Sequence, residues 1–279
     1  MPLQNPHNKA RHPIGIFDSG VGGLTVLREI TRQMPQEDLV YFGDTARAPY
    51  GPKGRETVIR YSVENAIFLL EQDIKILVVA CNTADSACAI EKLQKIFNIP
   101  VVGVIDPGVD KAVQTTKNQR IAVLGTRGTI ASGAYQNKLK GRLPDALIFA
   151  VPCPLFVPLV EEGLLNDPVT DMVVQQYLKP LLGHGIDTLL LGCTHYPLLH
   201  KVIQKAVGNT VSLIDSGSTC AQRVQEILTS HDLHNPVPAQ NRYRGKLQFF
   251  VSDDPQRFRE TATQFLDSPI DTVYLKKPE

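Results

Sequence analysis

The sequence predicts an α/β fold with two domains related by a pseudo-twofold axis, each built on a mostly parallel sheet. Short β-branched runs alternate with longer segments of helical period along the 279 residues, which is the pattern of stacked β-α units. The spacing of these runs in the first half recurs in the second half. The chain also exceeds the usual single-domain size of about 100–150 residues, so two domains are expected.

Eight apolar runs form two series of four predicted strands. The first series is "IGIF" at Ile14, "LVYF" at Leu39, "ILVVA" at Ile76 and "VVGVI" at Val101. The second series is "IAVL" at Ile121, "LIFAV" at Leu147, "TLLLG" at Thr188 and "VSLI" at Val211. Successive strands start 25, 37 and 25 residues apart in the first series and 26, 41 and 23 apart in the second. One structural unit is therefore used twice.

The repeat sets the expected domain boundaries. After Val211 come a helix and then a tail with the pattern strand, helix, strand ("KLQFFVS", "PQRFRETATQFL", "DTVYLK"). Because no third copy of the repeat follows, we expect this tail to complete the first domain. The first domain then comprises residues 14–106 and 216–279, the second residues 107–215, and residues 1–13 form an N-terminal extension.

Two cysteines occupy equivalent places in the repeat. The third strand ends in "ACNT" in the first half and "GCTH" in the second, with Cys81 and Cys193 lying 112 residues apart. The fourth strands also match, with "VIDPG" at Val104 and "LIDSG" at Leu213. A lone strand-end cysteine is usually a small core residue. In open parallel sheets, however, ligands bind at the carboxyl ends of the strands, so we expect both thiols to face one inter-domain cleft.

The paired thiols indicate acid-base chemistry. Each cysteine precedes a predicted helix, whose N-terminus is expected to lower the thiol pKa from about 8.5 to roughly 3.5–7.5. Two such groups on opposite faces of one carbon can remove a proton from one side and return it to the other. The prediction is two-base racemisation. Asp85, one turn after Cys81, is expected to disfavour the Cys81 thiolate.

Three further titratable residues are candidates for catalysis. Asp18 ends the first strand, Glu161 follows the second strand of the second half, and His195 lies two residues past Cys193. Their alternative roles are structural, because Asp18 suits a helix N-cap, Glu161 a solvated helix end and His195 a helix start. Neutral donors for substrate carboxylates are expected from Ser19, Asn82, Thr83, Thr126, Thr129 and Thr194.

Other functional classes fit the sequence less well. The glycines of "SGVGGLT" do not have dinucleotide-binding spacing, and no cysteine and histidine set has zinc-site spacing, so no cofactor or metal is expected. A hydrolase or transferase using Cys193 and His195 stays open, although it leaves Cys81 unused. A non-catalytic role as an amino-acid sensor or as a regulator that binds a partner protein also stays open. Cys88, Cys153 and Cys220 are interpreted as packing residues.

The composition limits the possible binding partners and the expected cellular location. Lys and Arg number 29 against 28 Asp and Glu, and Trp is absent, which argues against direct nucleic-acid binding. No apolar run approaches the roughly 20 residues needed to span a membrane, and the N-terminus has no signal-like stretch. The five cysteines include no C-x-x-C pair. We therefore expect a cytoplasmic protein with reduced thiols.

The motifs in their order resemble those of glutamate racemases. They are "FDSGVGGL", "APYG", "VACNTA", "VVGVIDPG", "LGTRGT", "CPLFVPLVE", "LGCTHYPLL" and "LIDSG". The resemblance runs from about Ile14 into the C-terminal tail. It implies cofactor-independent interconversion of L- and D-glutamate, which supplies D-glutamate for peptidoglycan. Aspartate racemases resemble the chain too, but they carry a carboxylate where this chain has His195.

The resemblance also implies individual roles. Cys81 would act on the D-enantiomer with help from Asp18, and Cys193 on the L-enantiomer with help from Glu161 and His195. The substrate would be held by Ser19, Pro49, Tyr50, Gly51, Asn82, Thr83, Thr126, Thr129 and Thr194. A homodimer is expected, and an interaction with DNA gyrase is a side activity of some members. Asp85 departs from the usual pattern, in which this position is small.

Overall fold

A computed structural model of the chain describes residues 9–236, 244–266 and 268–277. Within these ranges it has a six-stranded sheet in the order β10-β9-β2-β1-β3-β4 and a four-stranded sheet in the order β6-β5-β7-β8. All pairings are parallel. Each half therefore arranges its four strands as second, first, third, fourth, so the repeat in spacing is also a repeat in topology. The predicted α/β fold with parallel sheets is confirmed.

The elements have the following bounds. The strands are β1 (Ile14–Asp18), β2 (Leu39–Gly43), β3 (Ile76–Val79), β4 (Val101–Gly103), β5 (Arg120–Gly125), β6 (Leu147–Pro152), β7 (Thr188–Gly192), β8 (Ser212–Asp215), β9 (Leu247–Val251) and β10 (Val273–Leu275). The helices are α1 (Leu24–Gln33), α2 (Arg55–Leu70), α3 (Asn82–Ser86), α4 (Ala89–Ile96), α5 (Ile105–Thr115), α6 (Arg127–Ala131), α7 (Ala134–Arg142), α8 (Phe156–Glu161), α9 (Pro168–Leu178), α10 (His200–Val207), α11 (Ser216–Ser230) and α12 (Pro255–Leu266). Short 3-10 turns cover Thr45–Arg47, Lys179–Leu181 and Tyr196–Leu199.

The central strands are apolar on both faces because helices cover both sides of each sheet. β1, β3 and β7 are buried along their whole length, whereas the edge strand β6 is only partly covered. Helix α11 packs against α1 and α5, and α12 packs against α1. The two helices that follow the second sheet therefore pack against helices that precede it.

The tail strands extend the first sheet. β9 pairs with β2, with Leu39 opposite Leu247, and β10 pairs with β9. The exact domain boundaries after residues 106 and 215 stay a prediction. Most of the predicted N-terminal extension, residues 1–8, lies outside the described residues, as do residues 237–243 and 278–279. Across the described ranges, the structure has no helix with the length and apolar character needed to cross a membrane.

Two local predictions differ from the structure. The single helix expected after Cys81 is broken, because Cys88 adopts a left-handed conformation (φ 66°) between α3 and α4. Cys88 is consequently only half-buried and not a core residue, whereas Cys153 and Cys220 are fully buried as predicted. The fourth strand ends at Gly103 and not at Ile105, since α5 already starts there. The Asp85 carboxylate stabilises this early start by accepting a hydrogen bond from the Ile105 N–H at 2.8 Å.

Candidate active site

A cavity of about 300 Å³ lies where the two sheets direct the carboxyl ends of their strands toward each other. Cys81 follows β3 and Cys193 follows β7, the corresponding strand of the second sheet. Both side chains line this cavity, and they are only 5% and 6% exposed. The strand order of the repeat thus brings both thiols to a single enclosed space.

The other predicted site residues gather around the same cavity, with one exception. The lining includes Asp18, Ser19, Pro49, Tyr50, Gly51, Asn82, Thr83, Thr126, Glu161, Thr194 and His195. Thr129 is fully buried and is not part of the lining. Its hydroxyl lies 3.1 Å from that of Thr126 and 3.5 Å from that of Thr83. Thr129 therefore contacts two lining residues on the side away from the cavity. The prediction had placed it in contact with the substrate.

The wall around Cys81 disfavours a thiolate. The Cys81 thiol donates a long hydrogen bond of 3.6 Å to the Ser19 hydroxyl. Burial, followed by the negative charge of Asp18, raises the pKa of Cys81 to about 12. The lowered pKa predicted for Cys81 is therefore wrong for this structure. Helix α3 is only five residues long, and its N–H groups do not outweigh the desolvation of the sulfur.

Asp18 has an unusual environment for a carboxylate. It is 1% exposed, and its Oδ2 accepts a hydrogen bond from the Gly20 N–H at 2.9 Å. Among the described residues its Oδ1 has no hydrogen-bond partner. Burial raises the pKa of Asp18, while the nearby charge of His195 opposes that shift. A buried carboxyl with one free oxygen next to a thiol is suited to exchanging a proton at that position.

Asp85 acts in a different way from the one predicted. Its carboxylate is directed to the start of α5, and burial raises its pKa to about 7. The main causes of the raised Cys81 pKa are burial and Asp18. Asp85 is thus a capping group for a neighbouring helix, and the prediction that it governs the Cys81 thiolate is not needed to explain the shift.

On the other wall, Cys193, His195 and Glu161 form a line of consecutive polar contacts. The Cys193 sulfur lies 3.8 Å from His195 Nδ1, and His195 Nε2 lies 2.9 Å from Glu161 Oε1. Burial lowers the pKa of His195, but the hydrogen bonds and charges of Cys193 and Glu161 outweigh burial and raise it to about 10. Burial tends to raise the pKa of Glu161. The hydrogen bond and the charge of His195 outweigh burial, so the pKa of Glu161 is lowered. The imidazole therefore places a positive charge beside the Cys193 sulfur.

His195 is held in place by the C-terminal helix α12 and by residues that follow β1. The Phe265 ring meets the imidazole edge-on, with centroids 5.5 Å apart. At Gly22, a Cβ atom would lie 2.5 Å from the imidazole and 2.3 Å from the Thr194 hydroxyl. The Thr25 hydroxyl donates to the Thr194 carbonyl at 3.0 Å. The glycine is required because the loop after β1 and the histidine approach so closely.

The segment from Pro49 to Gly51 lines the cavity. The Tyr50 side chain is directed to a buried polar group, where its hydroxyl bonds Asp44 and accepts from Asn65 Nδ2 at 3.1 Å. Arg47 Nε donates to the same Asp44 carboxylate. These bonds engage the Tyr50 hydroxyl within the protein.

The cavity also contains residues that the sequence analysis missed. They are Gly20, Ala48, Pro52, Arg127, Pro154, Val157 and Pro158. Arg127, the first residue of α6, provides a permanent positive charge at the rim. Its signal was present in "LGTRGT", where a cation lies two residues past a strand end. No group of three or more His, Cys, Asp or Glu residues in the described ranges is arranged to hold a metal ion.

Comparison with known proteins accounts for this combination of fold and cavity. The family model of Asp/Glu/Hydantoin racemases matches residues 14–224. The chain belongs to this racemase family. As a family member it is an isomerase, and the resemblance seen in its motifs is confirmed.

Curated and solved racemases are similar over nearly the whole chain. The glutamate racemase of Geobacter metallireducens is 52% identical over 94% of this chain and 95% of its own length. The solved glutamate racemase isoform of Bacillus anthracis has a TM-score of 0.89 and 39% identity, covering 95% of this chain and 97% of its own. The Francisella tularensis glutamate racemase, solved with D-glutamate, has a TM-score of 0.88 and 32% identity, covering 97% and 99%.

Proposed function

We propose that the chain interconverts L- and D-glutamate by proton transfer between two cysteines. The observation that carries the proposal is that Cys81 and Cys193 line one cavity from equivalent ends of a duplicated strand. The substrate is supported by relatives named glutamate racemase at 42–52% identity. It is also supported by the Francisella tularensis enzyme, whose structure contains D-glutamate.

In the direction from L to D, the Cys193 thiolate removes the proton from Cα. The C–H bond breaks, its electron pair stays on Cα, and a new S–H bond forms. The Cys81 S–H bond then breaks as its proton is delivered to the opposite face of Cα, which gives the D-enantiomer. The reverse direction uses the same atoms with exchanged roles. Each positioned acid or base is worth about 10²–10⁴ in rate.

The two walls assist these steps by different means. His195, held by Glu161, stabilises the Cys193 thiolate and is available to protonate a substrate group. Asp18 accepts or returns a proton on the Cys81 side. Ser19, Asn82, Thr83, Thr126 and Thr194, together with the peptide groups of Pro49, Tyr50 and Gly51, hold the substrate's two carboxylates and its ammonium group.

Two alternatives are less well supported. Solved aspartate racemase relatives match at 19–20% identity, a likeness that concerns the fold alone. A hydrolase using Cys193 and His195 would not require a second thiol in the same cavity. We therefore favour glutamate racemisation over both.

The cellular role follows from the family. We propose that the product D-glutamate supplies peptidoglycan synthesis in the cytoplasm. The homodimer and the DNA gyrase interaction that the family resemblance implies stay predictions.

The test uses each pure enantiomer of glutamate in D₂O, with metal-free protein and no added pyridoxal phosphate. We expect optical rotation to decay while deuterium enters Cα, as measured by polarimetry and mass spectrometry. Retained optical activity for both glutamate and aspartate, with correctly folded protein, would refute racemisation. An acyl-enzyme trapped on Cys193 would support the hydrolase.

A further inference from the structure

Tyr135, on helix α7, lies between the two cysteine motifs and touches both. Its hydroxyl accepts a hydrogen bond of 2.8 Å from Nδ2 of Asn82, the residue after Cys81. Its ring packs on Gly192, the residue before Cys193, where a Cβ atom would lie 3.0 Å from the ring. Tyr135 is 1% exposed and is not part of the cavity lining.

Tyr135 contacts Asn82 from behind the cavity wall. The Tyr135 hydroxyl and Asn82 Nδ2 form a buried hydrogen bond of 2.8 Å, and Asn82 is only 3% exposed. Within the described ranges, the Asn82 side chain has no other hydrogen bond. Tyr135 is therefore the contact that anchors this amide.

The contact with Tyr135 holds the Asn82 amide in its observed orientation. Its NH₂ group is committed to Tyr135, while Oδ1 is buried without a partner among the described residues. Asn82 lines the cavity beside Cys81. An unpaired buried acceptor is unfavourable, so an amide free to rotate would not keep this arrangement. The Tyr135 hydroxyl is what holds it.

We propose that Tyr135 is a positioning residue for substrate binding and that it acts by orienting the Asn82 amide across the inter-domain boundary. The inference rests on the proposed function, because it assigns Asn82 to the substrate. Without this bond, the amide beside Cys81 would lose the one hydrogen bond that its side chain makes within the described ranges. Substrate affinity therefore depends on a hydroxyl that itself never meets the substrate.

The test begins with Tyr135→Phe, which removes the hydroxyl and keeps the ring. We expect the KM for both enantiomers to rise about five- to tenfold, with kcat within about twofold. The matched control is Thr170→Val, which removes another buried hydroxyl whose bond is to the Leu164 carbonyl, away from the cavity. The control is expected to keep the KM of the wild type. An unchanged KM in Tyr135→Phe would overturn the proposal.

A double-mutant cycle with Asn82→Ala separates positioning from general loosening of the structure. If Tyr135 acts through Asn82, adding Tyr135→Phe to Asn82→Ala changes KM no further. Multiplying effects would contradict the proposal. Should Tyr135→Phe fail to fold, the wild type alone tests the contact. Its Asn82 side-chain NH₂ group is expected to exchange hydrogen more slowly than that of the exposed Asn166, and exchange at an equal rate would contradict the proposal.

A readout independent of activity keeps the two proposals separable. The side-chain NH₂ resonance of Asn82 is assigned by its loss in Asn82→Ala and is then compared between the wild type and Tyr135→Phe. We expect a changed shift and faster hydrogen exchange in Tyr135→Phe. If the wild type does not racemise glutamate, the proposed function fails while this resonance still tests the contact. An unchanged resonance refutes the positioning role whatever the activity.

Discussion

The two walls of the cavity are equivalent in topology and opposite in electrostatics. Cys81 and Cys193 follow the corresponding third strands of the two sheets, yet Cys81 faces a carboxyl and a hydroxyl, whereas Cys193 faces an imidazole backed by a carboxylate. Burial and Asp18 raise the pKa of Cys81 to about 12. On the other wall, His195 is kept protonated by its neighbours.

This difference teaches that duplication fixes where a sulfur lies but not which proton state it prefers. Burial and Asp18 favour the protonated form of Cys81, whereas Cys193 has a cationic imidazole beside it. In the proposed reaction, L-glutamate would then be deprotonated first. One turnover would leave Cys193 protonated and Cys81 deprotonated, until the next turnover or exchange with water reverses this.

The largest expected effect comes from removing either thiol. Cys81→Ala and Cys193→Ala should each slow racemisation by at least about 10²–10⁴, measured by polarimetry from both enantiomers. The remaining thiol can still exchange a proton on its own face of Cα. In D₂O we therefore expect deuterium to enter L-glutamate with Cys81→Ala and D-glutamate with Cys193→Ala, without inversion.

The control for both variants is Cys220→Ala, which removes a fully buried thiol outside the cavity. It should lower stability while leaving solvent exchange at Cα intact. A variant lacking Cys81 or Cys193 that racemises at the wild-type rate would contradict the paired-base comparison.

His195→Gln tests the Cys193 wall alone, with an expected loss of about 10²-fold in kcat/KM. Because the pKa of His195 is raised to about 10, wild-type activity should fall as the pH rises through that value, and the variant should lack this decrease at alkaline pH.

The charged imidazole also stabilises the fold. This contribution is fully present below about pH 6.5 and is lost as the pH rises through about 10. The pH dependence of kcat/KM measures the first effect, and urea unfolding measures the second.

The control is His200→Gln, an exposed histidine outside the cavity lining, which should keep the wild-type profile. An unaltered alkaline limb in His195→Gln would show that another group titrates there.

Asp18→Asn tests the Cys81 wall, with an expected tenfold loss of racemisation, to about 10% of the wild-type rate. Since the charge of Asp18 raises the pKa of Cys81, neutralising it should lower that pKa. Alkylation of Cys81 by iodoacetamide at pH 8.5, followed by peptide mass spectrometry, should then proceed about three- to tenfold faster. Asp145→Asn, at an exposed position, is the matched control. Slower or equal alkylation in Asp18→Asn would remove Asp18 as the cause of the shift.

The smallest effect concerns Asp85, which has no counterpart on the other wall, where Pro197 occupies the equivalent position four residues past the cysteine. Burial raises the pKa of Asp85 to about 7. The protonated form is therefore favoured in the folded state, and stability is lost as the pH rises from about 4 through 7. Asp85→Asn can still cap α5, and it should be more stable than the wild type by about 2 kcal/mol at pH 8.

The difference should shrink towards pH 4, as followed by urea unfolding. A constant difference across that range would mean that Asp85 does not titrate in the folded protein.

The sequence predicted the positions of the site better than its electrostatics. Strand ends are encoded locally by β-branched runs, and parallel strands bring their carboxyl ends to one edge, so Cys81 and Cys193 were placeable from spacing alone. The pKa of Cys81 depends on desolvation by residues distant in sequence, which no local pattern contains. The dipole of a five-residue helix was overestimated for the same reason.

Other differences also have tertiary causes. The break at Cys88 was missed because the apolar spacing continues across it. Thr129 was expected in the cavity because it shares a motif with Thr126, but the turn into α6 places it behind that residue. Arg127 lies in the same motif and was missed because a single cation after a strand is usually solvated.

The route of the C-terminal tail determines the order in which the nascent protein can fold. The second sheet contains only strands between Arg120 and Asp215, so it can assemble while the ribosome is still translating the tail. The first sheet lacks its outer strands until Leu275 has emerged. The half that is synthesised first is therefore the half that is finished last, and the outer edge of β2 stays unpaired until β9 is available.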